Sequence, residues 1–471
     1  MHILAALTLF GIVRRTLSGR RLRERFGKAA TPLAAIVAVI WLVHPLQTGS
    51  VTYVIQRCES LMGMLYLMSL YCVIRGLPSQ RPVRWHAAAV CCAALSMGAK
   101  EVAVTLPVVV LLYDRTFAAG TFKAALRQRW KLYVALAATW GILAWLVVRG
   151  RAEGGFADRV QQGRMWEYAG SQFGVILHYL KLSLWPRILC MDYFWPAART
   201  VGQILPHAVV VLGLFAASVW ALWRRRVLGF AGVCFFLILA PTSSIMPIID
   251  RAFEHRMYLS LACVVVVLVL GAYALGGRLL RVAFSADRPR RVGVVLGALL
   301  SVAVVSALGA RSIVRNADYR SELRMWRKGL RDRRDNPRIR NSLAVALLER
   351  GSSHREEGNG HRAAGRADLA TQSWNSARKD IAEAEGYLRE AIVLLPSYPN
   401  PHINLGMILL GRGELDQAER SVATALASDK RYSSLYAYAT AHGAMGEILE
   451  HQGRLEEAAG YYATVLRIQK Y

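Results

Sequence analysis

Ten apolar runs separated by short, arginine-rich loops constrain this chain more than any other feature. A helix needs roughly 20 apolar residues to cross the hydrocarbon core of a bilayer. Inside that core every backbone amide must find its partner within the segment. Candidate spans are read at 1–13, 30–46, 60–75, 86–98, 102–114, 131–149, 204–223, 227–245, 257–275 and 292–310. The 471-residue chain is 54% hydrophobic, enough for a membrane unit and a soluble one. The expected fold class is all-α, a polytopic transmembrane helix bundle over 1–310 followed by a repeat solenoid over 311–471.

A net charge of +28 first suggests a nucleic-acid partner. Its distribution argues otherwise. Residues 1–310 hold 34 Lys/Arg against 11 Asp/Glu, whereas 311–471 hold 25 against 20. Most of the excess therefore sits in short loops of the apolar part, which is how membrane topology is encoded rather than how a DNA-binding face is built. No nucleic acid is expected as a partner. The loops 14–28, 75–85, 114–131, 224–226 and 278–291 carry 23 Lys/Arg, and the loops 44–60, 98–102, 149–170, 185–203 and 246–258 carry 10. The first set is assigned to the cytoplasm.

Three segments need separate treatment. Lys100 and Glu101 divide the run 86–114 and are placed at a hairpin turn, since a single helix over that run would carry two charges at mid-bilayer. Residues 171–185 are short, carry His178 and Lys181, and would move Arg224 to Arg226 outside if they crossed. They are read as an interfacial helix on the outer leaflet. The run 1–13 is only about 20 Å of helix, and reads as the end of a longer one. The cysteines show no CxxC spacing, although Cys58 and Cys190 both fall in external loops, where a disulfide could form. The Ala- and Arg-heavy usage suggests a bacterial inner membrane protein.

From about residue 311 amphipathic helices take over. INLGMILLGRGELDQAERSVATAL reads as two helices joined by Gly-Arg-Gly, with Leu405, Gly406, Ala418 and Ala425 at the small and apolar positions of a tetratricopeptide repeat. Ala384, Ala391 and Pro396 stand 34 residues before Ala418, Ala425 and Lys430, which is the period of that repeat. Gly446, Ala458 and Tyr462 mark a further copy displaced by 40. SLAVALLERG resembles a first helix parted from its mate by a polar insert at about 351–378. Such pairs stack to bury their apolar faces and form a curved binding surface. By parity the array faces the periplasm.

The external loops concentrate specific polar residues. HPLQTGSVTYVIQRCES supplies His44, Gln56, Arg57 and Glu59; the next loop supplies Lys100 and Glu101; another supplies Asp192; PTSSIMPIIDRAFEHRMY supplies Glu254, His255, Arg256 and Tyr258. Charges this close to hydrocarbon are costly unless paired or used. Structural roles remain open: Arg57 and Arg256 as helix anchors, Lys100 paired with Glu101, His44 as a cap. As a group, cations at this depth suit a lipid-linked phosphate. No metal-ligand spacing is present, and neither a metal nor a cofactor is expected.

These segments, together with SMGAKEVAVTLPVVVLLYD and APTSSIMPIIDRAFEHRMYLSLA, resemble bacterial membrane proteins with tetratricopeptide repeats that are similar to the animal transmembrane and tetratricopeptide-repeat-containing O-mannosyltransferases. The resemblance implies a type C glycosyltransferase fold, a polyprenyl-phosphate-linked sugar donor entering from the membrane lipid, and a Ser or Thr acceptor on an extracytoplasmic protein bound by the repeats. It implies donor-phosphate binding by Arg57, His255, Arg256 and Lys100. His44, Gln56 and Tyr258 would be further polar residues of that face. The family's catalytic acidic pair sits in a first external loop that has no counterpart here; the sequence looks to begin inside the family's second span. On that reading the chain as written transfers no sugar, and Glu59, Glu101, Asp192 and Glu254 are the carboxylates left to consider. The alternative is a non-catalytic, membrane-anchored repeat scaffold. A transporter is disfavoured by the lack of an inverted repeat or a mid-span charge.

The loop-charge asymmetry makes topology testable. A reporter fused after Arg225 should report the cytoplasm, and one fused after Asn336 the opposite side; the same side for both would end the parity argument.

Overall fold

The computed structural model describes residues 1–152, 165–224, 226–243, 250–283, 289–428 and 435–469. Among them every regular element is a helix. Two compact units emerge, one of Met1–Leu189 with Trp195–Ala317, the other of Cys190–Phe194 with Asp318–Tyr471.

The first unit contains α1 (His2–Ser18), α2 (Ala30–Val43), α3 (Arg57–Gly76), α4 (Pro82–Ala99), α5 (Leu106–Tyr113), α6 (Phe122–Ala138), α7 (Trp140–Ala152), α8 (Met165–Leu184), α9 (Val201–Trp223), α10 (Val227–Leu239), α11 (Met257–Ala283) and α12 (Pro289–Asp318). Among the described residues six stretches are long and apolar enough to cross a membrane: Arg23–Val43, Val54–Gly76, Phe122–Arg149, Val201–Trp223, Glu254–Leu280 and Val292–Asp318. The other four expected spans, met by α1, α4, α5 and α10, are helical but are not among these six. The chain does not continue as one helix through Lys100. That residue is extended, with φ −164° and ψ 149°, and a 3-10 turn of Glu101–Thr105 follows it.

Packing in this unit is uneven. α1 lies against α2 and α3, α3 against α4, α2 against α11, and α10 between α9 and α11. Trp41, Tyr66, Tyr179 and Tyr258 are fully enclosed. By contrast α9 exposes Val209, Leu212, Phe215, Val219 and Trp220, and α12 exposes Val294, Val295, Leu299 and Val302. A continuous apolar surface of this extent is costly in water and normal against lipid. α12 is held chiefly near its end. Ser312 Oγ donates to the Val43 carbonyl at 2.6 Å, Thr52 Oγ1 to Asn316 Oδ1 at 2.8 Å, and Arg311 to the carbonyls of Pro186 and Arg187. The segment expected to lie flat, 171–185, belongs to α8, which is already helical at Met165, six residues before that run. α8 buries Tyr168, Gln172, Val175, Ile176 and Tyr179 and packs on α9.

The second unit holds α13 (Glu322–Asp332), α14 (Pro337–Ala363), α15 (Ala367–Leu394), α16 (Pro399–Gly411), α17 (Leu415–Ala427), α18 (Leu435–His451) and α19 (Leu455–Gln469). Successive helices pack as antiparallel pairs on their apolar faces. One core joins Leu343, Leu347, Ala384, Leu388 and Ile408; another joins Leu409, Ala418, Val422, Ala425, Ile448 and Ala458. Gly413 closes the α16–α17 turn at φ +80°, a conformation glycine adopts without penalty. The polar stretch 351–378 is not a disruption. It prolongs α14 and α15 into a long helical hairpin, tied by Arg350 to Asp380 at 2.6 and 2.8 Å and by Trp374 Nε1 to Asn359 Oδ1 at 3.2 Å.

Candidate functional site

Three breaks between apolar helices of the first unit build the polar region: the segment 44–57 between α2 and α3, the segment 100–105 between α4 and α5, and Asp250–Arg256 before α11. Pro45 starts a 3-10 turn that His44 caps. The Leu46 amide donates to His44 Nδ1 at 3.2 Å, so Nε2 carries the proton and donates to the Ser183 carbonyl at 3.2 Å. Burial pushes the His44 pKa down to about 4, which keeps the ring neutral. The capping role left open by the sequence is the one found, and it leaves neither ring nitrogen free for a ligand.

At the centre, Glu59 in the first turn of α3 is buried, and Lys100 Nζ donates directly to its carboxylate. Lys100 also reaches Gln56 Oε1 at 3.5 Å. Lys100 is thus partnered by Glu59 rather than by its neighbour Glu101. Glu101 is exposed and makes no hydrogen bond or ion pair among the described residues. Arg57 is exposed too, and among the described residues it donates to the Val51 carbonyl at 3.4 Å.

The third segment is more enclosed. Arg256 donates to the carbonyls of Asp250 at 2.6 Å, Arg251 at 2.9 Å and Thr242 at 3.1 Å, and to Tyr168 Oη at 3.3 Å. Its guanidinium therefore staples the chain entering α11. Glu254 pairs with Arg315 of α12 at 3.7 Å. His255 is buried against the Phe253 ring at 4.8 Å. Tyr258 is fully enclosed, its hydroxyl 3.0 Å from His2 Nδ1. Its ring lies against Gly63, where a Cβ would come within 2.5 Å, so only glycine permits this approach of α3 to α11.

The structure brings Gln56, Glu59, Lys100, Glu254, His255, Arg256 and Tyr258 into one unit, with Arg57 and Glu101 exposed at its loops. It separates Asp192 from them. Asp192 groups with the second unit, where Arg338 donates to its carboxylate, Asn336 Nδ2 to its carbonyl at 3.0 Å, and the Phe194 amide to Oδ1 at 2.8 Å. Cys58 and Cys190 are free thiols in different units, so the disulfide considered from the sequence is not formed. Most of the 149–170 loop lies outside the described residues. Sequence reasoning missed Tyr168, Arg315 and His2. Arg315 could have been found, since a charge four residues after Arg311 ends the last apolar run; Tyr168 and His2 carry no such signal.

The tetratricopeptide-repeat family profile matches residues 398–470. No curated protein matches the chain. The fold therefore defines an all-helical protein with six helices able to cross a membrane and a repeat region of the kind that binds other proteins.

Removing one partner of a buried ion pair strands the other charge, a loss of about 3–5 kcal/mol. Lys100→Met should destabilise the purified chain by that order in chemical unfolding, and Lys100→Met combined with Glu59→Gln should recover most of it. Equal losses in the single and double variants would show that the pair does not couple the two segments.

Proposed function

We propose that the chain is a multi-pass membrane protein of the bacterial inner membrane whose polar region receives a polyprenyl-phosphate-linked sugar, and whose repeats face the periplasm and hold the acceptor protein. The single observation that carries this reading is the pairing of Lys100 with Glu59 between the ends of apolar helices, with Arg57 and Glu101 exposed on the adjoining loops. A lipid-phosphate head group rests at the depth where such helices end, and cations there are little screened. Arg57 and Lys100 hold the phosphate in this reading. Arg256 and Glu254 support the adjoining backbone instead, because their polar atoms already engage the protein.

Glu101 is the carboxylate best placed for chemistry, since Glu59, Asp192 and Glu254 are each ion-paired. It takes the proton of an acceptor Ser or Thr hydroxyl as that oxygen bonds to the anomeric carbon. The bond from that carbon to the phosphate oxygen breaks, and polyprenyl phosphate leaves stabilised by Arg57 and Lys100. A non-catalytic membrane-anchored scaffold is the second reading. It is favoured by the saturation of His44 and Arg256 with protein partners, which is how structural polar residues behave.

The assay uses the full chain in nanodiscs with undecaprenyl-phosphate mannose and a Ser/Thr-rich peptide. From the sequence alone the expectation is that the chain as written transfers no sugar. With Glu101 as the base that expectation is reversed, and transfer should occur and fall about a hundredfold or more in Glu101→Gln, the usual loss of a general base, with donor binding retained. Transfer unaffected by Glu101→Gln would place the base elsewhere. Failure of wild type to bind the donor, with peptide capture intact, would favour the scaffold.

A further inference from the structure

The second unit carries a cationic depression that neither the sugar-transfer reading nor the repeat match assigns. α13 reads ELRMWRKGLRD and carries an apolar stripe beside a cationic one. Leu323, Trp326 and Leu330 pack against the core of Leu343, Leu347 and Leu388. Arg324, Arg327 and Arg331 follow these residues by one position each and form the adjoining stripe of the helix at helical spacing. Beyond the end of α13 the chain brings in Arg334, and α14 and α15 contribute Arg340 and Tyr387. Arg327, Leu330, Arg331, Arg334, Arg340 and Tyr387 line an open depression of about 450 Å³.

Its charges are unbalanced. Arg327 Nη2 donates to both oxygens of Glu383, at 3.1 and 3.3 Å, and Arg340 Nε donates to Glu390 Oε2 at 2.8 Å. Arg331 and Arg334 are exposed, and their guanidinium groups make no hydrogen bond or ion pair among the described residues. The four guanidinium groups thus face two carboxylates. The floor is different in character. Leu330 and Tyr387 are half-buried and present an aliphatic chain and an aromatic ring between the cations.

We propose that this depression docks an acidic segment of a partner protein, with Arg331 and Arg334 receiving carboxylates and Leu330 and Tyr387 receiving an adjacent apolar side chain. A guanidinium fork matches a carboxylate bidentately. Burial of a neighbouring apolar group on Leu330 and Tyr387 adds what a free anion cannot use. A membrane surface fits less well. The apolar face of α13 is already occupied by the core of its own unit, so the helix has no wedge to insert into lipid. The proposal draws on the repeat unit as a protein-binding element and on nothing in the transfer chemistry, so failure of the sugar-transfer assay leaves it standing.

The test is fluorescence polarisation with the full chain in phosphatidylcholine nanodiscs and a labelled decapeptide alternating Glu with Phe. Arg331→Glu combined with Arg334→Glu should weaken binding about tenfold or more, as reversal of interfacial charges does. Arg355→Glu, on an exposed part of α14 outside the depression, should bind as wild type. The peptide with Gln in place of Glu should bind weakly to all three. Thermal unfolding should be the same for wild type and the charge-reversed pair, whose altered side chains are exposed. Equal affinity of wild type and the double variant, or of the Glu and Gln peptides, would overturn the proposal. A further arm uses nanodiscs containing phosphatidylglycerol. If peptide affinity there collapses for wild type alone, the depression belongs to a lipid head group and the peptide assignment fails.

Discussion

Backbone amides surrounded by hydrocarbon must bond within their own segment, and six helices of the described residues are long and apolar enough to meet this constraint. Among the described residues the long apolar runs are helical, and irregular backbone lies in the breaks between helices. α12 illustrates the consequence. Its apolar length touches little else, while Arg311, Ser312, Arg315 and Asn316 near its end each meet a partner in the same unit. The same rule collects His44, Gln56, Glu59, Lys100, Glu254 and Arg256 at helix ends, because the spans have no place for them.

Once gathered, these groups must be satisfied, and the way each is satisfied sorts structure from chemistry. Arg256 gives its guanidinium to three carbonyls and a tyrosine hydroxyl, so it fixes the backbone before α11. A buried charge without such partners would cost several kcal/mol. Glu59 and Lys100 satisfy one another, which locks the start of α3 to the break after α4. Arg57 and Glu101 are exposed among the described residues, and a ligand would meet them first.

Much of this was legible in the sequence, for physical reasons. Apolar runs report helices able to cross a membrane, and the 34-residue spacing of Ala384 and Ala391 from Ala418 and Ala425 reports helix pairs that must stack. Other features were hidden. The stretch 351–378 looks like an insert because it is polar, yet its Ala, Glu and Arg content favours helix, and it extends α14 and α15. The start of α8 was obscured because Tyr168 and Gln172 pack through polar atoms rather than an apolar stripe. Lys100 was equally able to pair with Glu101 by sequence; tertiary placement of Glu59 decided between them. Asp192 sits in a loop between helices of the first unit but packs with the second, a partition no local pattern encodes.

The central claim is that breaks far apart in sequence meet as one polar region. Photo-crosslinking from a benzophenone side chain introduced at Gln56 tests it most directly, because Gln56 lies beside Lys100 although the two are 44 residues apart. In native membranes the adduct should join the peptide containing Gln56 to the one containing Lys100–Thr105. Adducts confined to lipid and to sequence neighbours of Gln56 would contradict the account.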